Sequence, residues 1–312
     1  MGVSGVMTGT LNVTVFPASY AELIPKRAKA VVSGSDGTNT FTFPDYYVSS
    51  RAVNDNNTCT FSCVDGMAKA ETVIDDSTLN YDDKGLVSLD TALIYIRDKC
   101  GFGGGISVDG AALTPYLSRE KIHGRTGREI LEELSKVWCG YWRVDAEDNV
   151  IFRKPEQSAA FASVSVYSQP THCGNIEYQS VLMSDNKDVY EYGARADHCL
   201  SISTDYASED AAGAVYSRFN GYNYHMWKCD MCILPEYAAV GTEFDFIGEA
   251  RPEGYYLCSS INMTLCASGI FGSVGRNTLS EDEWTYRSDI ERRLDKKQNK
   301  GDKVTVFVNH NA

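Results

Sequence analysis

Several things are missing from this 312-residue sequence, and each absence excludes something. Positive charge is in deficit. Lys and Arg total 29 against 42 Asp and Glu, a formal net charge of −13. A protein that grips DNA or RNA needs a basic surface to neutralise phosphates, so tight nucleic-acid binding is not expected. No apolar run approaches the ~18 residues of a membrane span. The opening MGVSGVMTGTLNVTVF has no basic region leading into an apolar core, which argues against a secretory leader. Val6 stands where N-myristoylation wants Ser or Thr. Catalytic signatures are missing as well: there is no HExxH and no GxSxG among the 312 residues.

Histidine is scarce, with His123, His172, His198, His225 and His310. A Cys173/His225 hydrolase pair rests on residue type alone. The ten cysteines are scattered: Cys59, Cys63, Cys100, Cys139, Cys173, Cys199, Cys229, Cys232, Cys258 and Cys266. Without a secretory signal they read as reduced, mostly buried thiols. Cys229 and Cys232 form one CxxC, but a zinc ribbon needs a second pair. In a strand, residues three apart point to opposite faces, so the two sulfurs would diverge. Cys59 and Cys63 would share a strand face at roughly 13 Å, too far to bridge. No catalytic, cofactor or metal residue is therefore assigned.

What is present is β-type texture. Tyrosine is abundant at 19 residues. LNVTVF, AVVSG, FTFPDYYVSS and CTFSCV read as strands divided by the turn clusters SGSDGTN and VNDNN. Two helices interrupt this. Ser88 can cap SLDTALIYIRDKC, with Ala92, Leu93, Ile96 and Cys100 on one face and Gly101 at the stop. Thr126 and Glu129 form a capping box before a stripe of Ile130, Leu131, Leu134 and Val137, with Gly140 as the expected end. GFGGG at 101–105 has the glycine of a phosphate loop without the Lys or the following Ser/Thr, and reads as a mobile loop.

YWRV and VIFRK flank the turn DAEDN as a hairpin, Trp142 and Val144 facing Val150 and Phe152. Asp145, Glu147, Asn149 and Glu156 echo a calcium loop, but Val150 occupies the position that needs Gly. Trp138, Tyr141, Trp142, Trp227, Tyr255 and Tyr256 suit either a sugar groove or core packing. From about 160 to 270, SVSVYS, DVYEYGA, YNYHMWKCDMCIL, TEFDFIG and YYLCSSINMTLCA read as strands, with a short helix in DYASEDAAGAVYSRF. Ser280 and Glu283 make a second capping box, opening a helix that ends in the basic group Arg292, Arg293, Lys296, Lys297 and Lys300. KVTVFV closes the chain as a strand.

Three stretches carry a family resemblance: FPDYYVSSRAVNDNNTCTFSCVDGMAKAE, TGREILEELSKVWCGYWRVDAEDNVIFRK and SGIFGSVGRNTLSEDEWTYRSDIERRLDK. They are similar to the strand pair, the T-x-R-x-(I/L)-L helix with its hairpin, and the C-terminal junction of bacteriophage tail hub (baseplate hub) proteins, the prophage tail proteins of Firmicutes type. The likeness spans most of residues 40–297. Relative to that family the N-terminus is short, and the chain ends where many relatives continue into a spike, fibre or wall-degrading region.

The resemblance implies an α+β, mainly β fold: two small β-barrel-like tube domains with a helix-containing inserted domain. On this chain the first barrel would take 1–85, which strands from about 172–200 could complete. The insert would take 86–165, the second β-rich domain 166–279, and a C-terminal helix and strand 280–312. It further implies a non-enzymatic virion component, a hub ring joining the tail tube to the tip or spike and forming part of the conduit, assembled in the bacterial host cytoplasm without cofactors; a carbohydrate- or receptor-binding tail module is the alternative reading, and a tail-associated peptidoglycan hydrolase a lesser one. Its expected partners are two further copies in a homotrimer, the tail tube or distal tail protein, the tape-measure protein and spike or fibre proteins. DNA would pass through a lumen without specific binding, and no stable membrane insertion is implied.

Overall fold

A computed structural model describes residues 5–35, 40–108, 116–153, 161–166, 171–185, 187–194, 199–221, 223–233, 243–246, 260–266, 269–276 and 305–309. The expected helix from Ser280, its basic end, His198, His310, Cys258, Tyr255, Tyr256 and Glu156 lie outside them.

Period-two alternation organises the first part of the chain. In Cys59–Asp65 every second residue is buried. This strand sits between Thr10–Val15 and Tyr46–Val53 in a four-stranded antiparallel sheet, with Lys29–Ala30 at the far side. Cys59, Phe61 and Cys63 point into a core shared with Trp227 and Cys229 of Asn223–Ile233. That strand is central to a six-stranded sheet. It pairs antiparallel with Phe161–Val166, Thr171–Glu177 and Gly269–Arg276. Ser260–Cys266 continues the sheet beyond Gly269–Arg276, and Glu243–Phe246 beyond Phe161–Val166. The first sheet and this second one therefore close over a common apolar layer.

Helices cover a different sheet. The first, α1 (Leu89–Cys100), starts where the Ser88 hydroxyl accepts from the Thr91 N–H and stops at Gly101 in the left-handed region. Its expected stripe of Ala92, Leu93, Ile96 and Cys100 is buried. The second, α2 (Gly127–Trp138), has the full reciprocal capping box of Thr126 and Glu129. It ends one residue earlier than Gly140 suggests, because Cys139 itself takes the left-handed conformation (φ 51°). The Cys139 thiol is fully buried there and donates to the Lys136 carbonyl. Enclosure of that thiol outweighs the usual preference for glycine at this position.

Both helices pack on a sheet ordered Gly5–Val6, Tyr141–Val144, Val150–Arg153, Ile106–Val108. The hairpin register is the expected one, Trp142 opposite Phe152 and Val144 opposite Val150. The third helix, α3 (Glu209–Phe219), is capped by Ser208. It packs on a further sheet of Cys199–Ser203, Ser180–Ser184, Asp188–Gly193 and the C-terminal strand Thr305–Asn309. One core cluster joins Val6, Met67, Leu93, Leu131, Trp142, Met183, Leu200 and Phe219. It crosses the boundaries expected at 85 and 165. Each such fully buried side chain contributes about 1.5–3 kcal/mol by leaving water.

The glycine-rich loop differs from its sequence reading: it is pinned, not free. The Gly103 N–H donates to the Asp148 carboxylate, the Gly104 N–H to the Asp148 carbonyl and the Gly105 N–H to Asn149 Oδ1. A Cβ on Gly104 would lie 2.5–2.7 Å from Asn149 Oδ1, Asn149 N and Asp148 C. The run of glycine serves close approach to the hairpin tip. Gly104→Ala is expected to cost about 2 kcal/mol or more in urea unfolding, because backbone must move. Gly105→Ala, whose Cβ would meet only Asn149 Oδ1 at 3.5 Å, should stay within about 0.5 kcal/mol of the parent.

Candidate assembly surface

Six of the cysteines are absorbed into packing. Cys59, Cys63, Cys100, Cys139, Cys199 and Cys229 are buried. Burial pushes the Cys139 thiol up to about 12 and the Cys100 thiol up to about 11, so neither is a thiolate near neutrality. Cys229 lies in the core beside Trp227. A register shift falls between Cys229 and Cys232, so simple strand alternation does not relate the pair. Cys173 lies in a bulge of Thr171–Glu177, and His225 pairs with Asn175 on the adjacent strand.

The aromatic candidates among the described residues form no groove. Trp138, Tyr141, Trp142 and Trp227 are all buried. Trp138, Trp142 and Phe152 stack mutually at centroid distances of 5.1–6.0 Å. Enclosed rings cannot present a face to a sugar. The calcium-like turn is likewise closed on itself. Asp145 Oδ1 accepts from the N–H groups of Glu147 and Asn149, and the Asn149 amide donates to both oxygens of Asp145. Among the described residues no group of three or more His, Cys, Asp or Glu is placed to hold a metal ion.

Three carboxylates that local sequence patterns do not reveal tie distant segments together. Asp148 pairs with Lys69 at 2.7 Å, and the Lys69 ammonium also lies over the rings of Tyr47 and Phe102. Asp76 has a side chain only 2% exposed and accepts from His123 Nδ1 (2.7 Å), the Tyr81 hydroxyl (2.9 Å) and Arg119 Nε (3.1 Å). Burial alone would raise the Asp76 carboxyl. The His123 and Tyr81 hydrogen bonds and the Arg119 charge outweigh it and hold the group below its ordinary value. An imidazole oriented by a buried carboxylate has the geometry of a general base. Asp76 is nonetheless the one side-chain partner of His123 among the described residues.

Asp65 is the third. It accepts from the Gly9 and Met67 N–H groups, joining the N-terminal segment to the 3-10 turn Gly66–Glu71. Burial lifts its carboxyl to about 6, against the opposing pull of those two N–H groups and Arg128. Arg128 holds the same segment from α2, donating to the Val6 carbonyl, the Thr8 hydroxyl and Glu71.

The accessible features are sheet edges and apolar side chains. Among the described residues no strand pairs with the outer side of Thr10–Val15, or with Tyr46–Val53 beyond Tyr47. Near these edges Phe16, Tyr20, Leu23 and Val53 are exposed, Leu23 at 77% and Val53 at 69%. Unpaired strand edges beside exposed apolar groups are sites of strand addition or subunit contact. No helix among the described residues is long and apolar enough to cross a membrane.

No family model matches the sequence, and no curated protein matches it significantly. Solved structures do. The chain is similar to the tail protein from Neisseria meningitidis MC58, at 9% identity and a TM-score of 0.53, over 88% of this chain and 90% of that one. It is also similar to the 43 kDa tail protein of prophage MuSo2 from Shewanella oneidensis, at 14% identity and a TM-score of 0.50, over 86% of this chain and 89% of that one. The fold, mainly β with helices, is that of these tail proteins.

The Asp65 geometry carries a pH prediction. A carboxyl raised in the folded state is protonated alike in both states well below the unfolded value of 3.8, and there it carries no penalty. Between the unfolded value of 3.8 and about 6 the unfolded chain releases its proton first, so stability falls as pH rises. Relative to Asp65→Asn, the wild type should lose about 2–3 kcal/mol between pH 4 and pH 7 in urea titrations. Parallel pH curves for the two proteins would refute the assignment.

Proposed function

We propose that this chain is a non-enzymatic structural component of a phage tail or tail-like particle, and within it a hub. Three copies form a ring joining the tail tube to the tip or spike and walling part of the conduit. The observation that carries this reading is the fold itself, shared with two tail proteins, one of them from a prophage, along nearly the whole length of both partners. The outer edge of Thr10–Val15, with no pairing strand among the described residues, supports it, because an edge left open in one subunit is completed by a neighbour in a closed ring. The buried state of the described thiols and tryptophans also fits a packing role.

In this reading the β-rich parts 1–85 and 166–279 are the two tube domains, the part 86–165 is carried between them, and 280–312 is a C-terminal extension. Partners are the tube or distal tail protein, the tape-measure protein and spike or fibre proteins, within a virion. The formal charge of −13 suits a lumen past which DNA slides without adhering. A ring whose bore proves neutral or basic would remove the lumen argument.

Light scattering across a concentration series tests the ring. A mass near three times 34.4 kDa is expected. A mass of 34.4 kDa throughout, also in the presence of the distal tail protein, would overturn the trimeric hub.

A further inference from the structure

The strand Tyr46–Val53 has two differently covered halves. Lys29–Ala30 pairs only with Tyr46 and Tyr47, and the backbone of Val48 is met by the Arg27 N–H and the Ala28 carbonyl. A bulge then follows between Val48 and Ser50. Beyond it Ser49 to Val53 are all exposed, and among the described residues no strand lies along their outer side. From Ser50 to Val53 the inner side is paired with Cys59–Ser62. Half of the backbone donors and acceptors of this stretch therefore face outward, fixed in extended geometry by the other half.

A groove of about 480 Å³ runs beside this edge, lined by Glu22, Ile24, Lys26, Val48, Ser50 and Arg51. Its wall is held by the Arg51 guanidinium, which donates to the Ala21 carbonyl. Apolar anchors continue from it: Leu23 precedes Ile24, and Val53 lies two residues beyond Arg51. The local charge is opposite to that of the chain. Exposed Lys26, Arg27 and Arg51 outnumber Glu22 here, whereas the whole protein carries −13. The nearby Lys29 is already paired with Asp45 at 2.5 Å.

We propose that the outer edge of Ser49–Val53, with the groove beside it, receives an extended acidic segment of a partner protein as an added strand. Backbone hydrogen bonds supply the register, alternate apolar side chains of the segment meet Leu23, Ile24 and Val53, and its carboxylates meet Lys26 and Arg27. This docking site is independent of the tail-hub reading, since it rests on the edge, the groove and the charge alone.

The test uses the full-length protein and a yeast-displayed library of random dodecapeptides. Selection should enrich peptides that alternate β-branched or aromatic residues with Asp or Glu. The enriched peptides should bind Lys26→Glu/Arg27→Glu at least 10-fold more weakly and Glu22→Lys several-fold more tightly. They should also slow amide exchange at Ser49–Val53. Glu22→Lys keeps the charge test available should the double variant fold poorly. No enrichment, peptides without acidic bias, equal binding to both charge variants, or protection located elsewhere in the chain would each overturn the site.

Discussion

The Lys69–Asp148 pair is the constraint on which the helical part of the molecule depends. Lys69 stands on the 3-10 turn after Cys59–Asp65, and Asp148 on the tip of the hairpin after α2. They are 79 positions apart and meet at 2.7 Å with both side chains mostly covered. The same carboxylate takes the Gly103 N–H from the loop after α1, and its other oxygen lies 2.8 Å from where a Cβ on Gly66 would be. The same ammonium lies over Tyr47 in the first sheet and Phe102 in the loop. One ion pair thus fixes the meeting point of the first sheet, the 3-10 turn, α1 and the hairpin. Removing either partner would leave a half-buried charge uncompensated, which costs more than the intact pair contributes.

Asp65 and Arg128 repeat this logic a few residues away. Asp65 accepts from Gly9 and Met67, while Arg128 reaches the Val6 carbonyl and Thr8 from α2. Together they steer the first residues out of the four-stranded sheet and into a parallel pairing of Gly5–Val6 with Tyr141–Trp142. Val6 then enters the core that also holds Leu131 and Trp142. The helical part is for this reason welded to the sheets: its core includes residues from before, within and after it.

Local features were legible in the sequence wherever the physics is local. Capping by Ser88, Thr126 and Glu129, the apolar stripe from Ile130 to Val137 and the register of Trp142 with Phe152 all follow from spacing and side-chain chemistry within a few residues. The glycine-rich loop was misread because its partner, the Asp148–Asn149 tip, lies more than 40 positions downstream. Nothing within GFGGG indicates what its glycines must accommodate. Asp76 was invisible for the same reason, with His123 and Arg119 more than 40 positions away. The open edges were the least legible of all. Whether a strand is covered on both sides depends on sheet order, and the first sheet runs Thr10–Val15, Cys59–Asp65, Tyr46–Val53, Lys29–Ala30, against the order of the chain.

Several acidic residues of this molecule serve as internal ties. Catalytic carboxylates are held where a substrate can reach them and are tuned toward the working pH by burial against few partners. Asp76, Asp145 and Asp148 instead accept from three or more donors apiece or bridge to a cation, each contact closing a turn or joining remote segments. Glu133 does the same between α2 and the loop before α3, accepting from the Asp205 N–H and pairing with Lys136. Carboxylates spent on interior hydrogen bonds rigidify the frame that carries the two incompletely covered edges of the first sheet. A frame so fixed keeps an exposed strand straight and its backbone groups aligned. That is the preorganisation that strand addition by a neighbouring chain requires, because the ordering entropy of one partner has already been lost on folding.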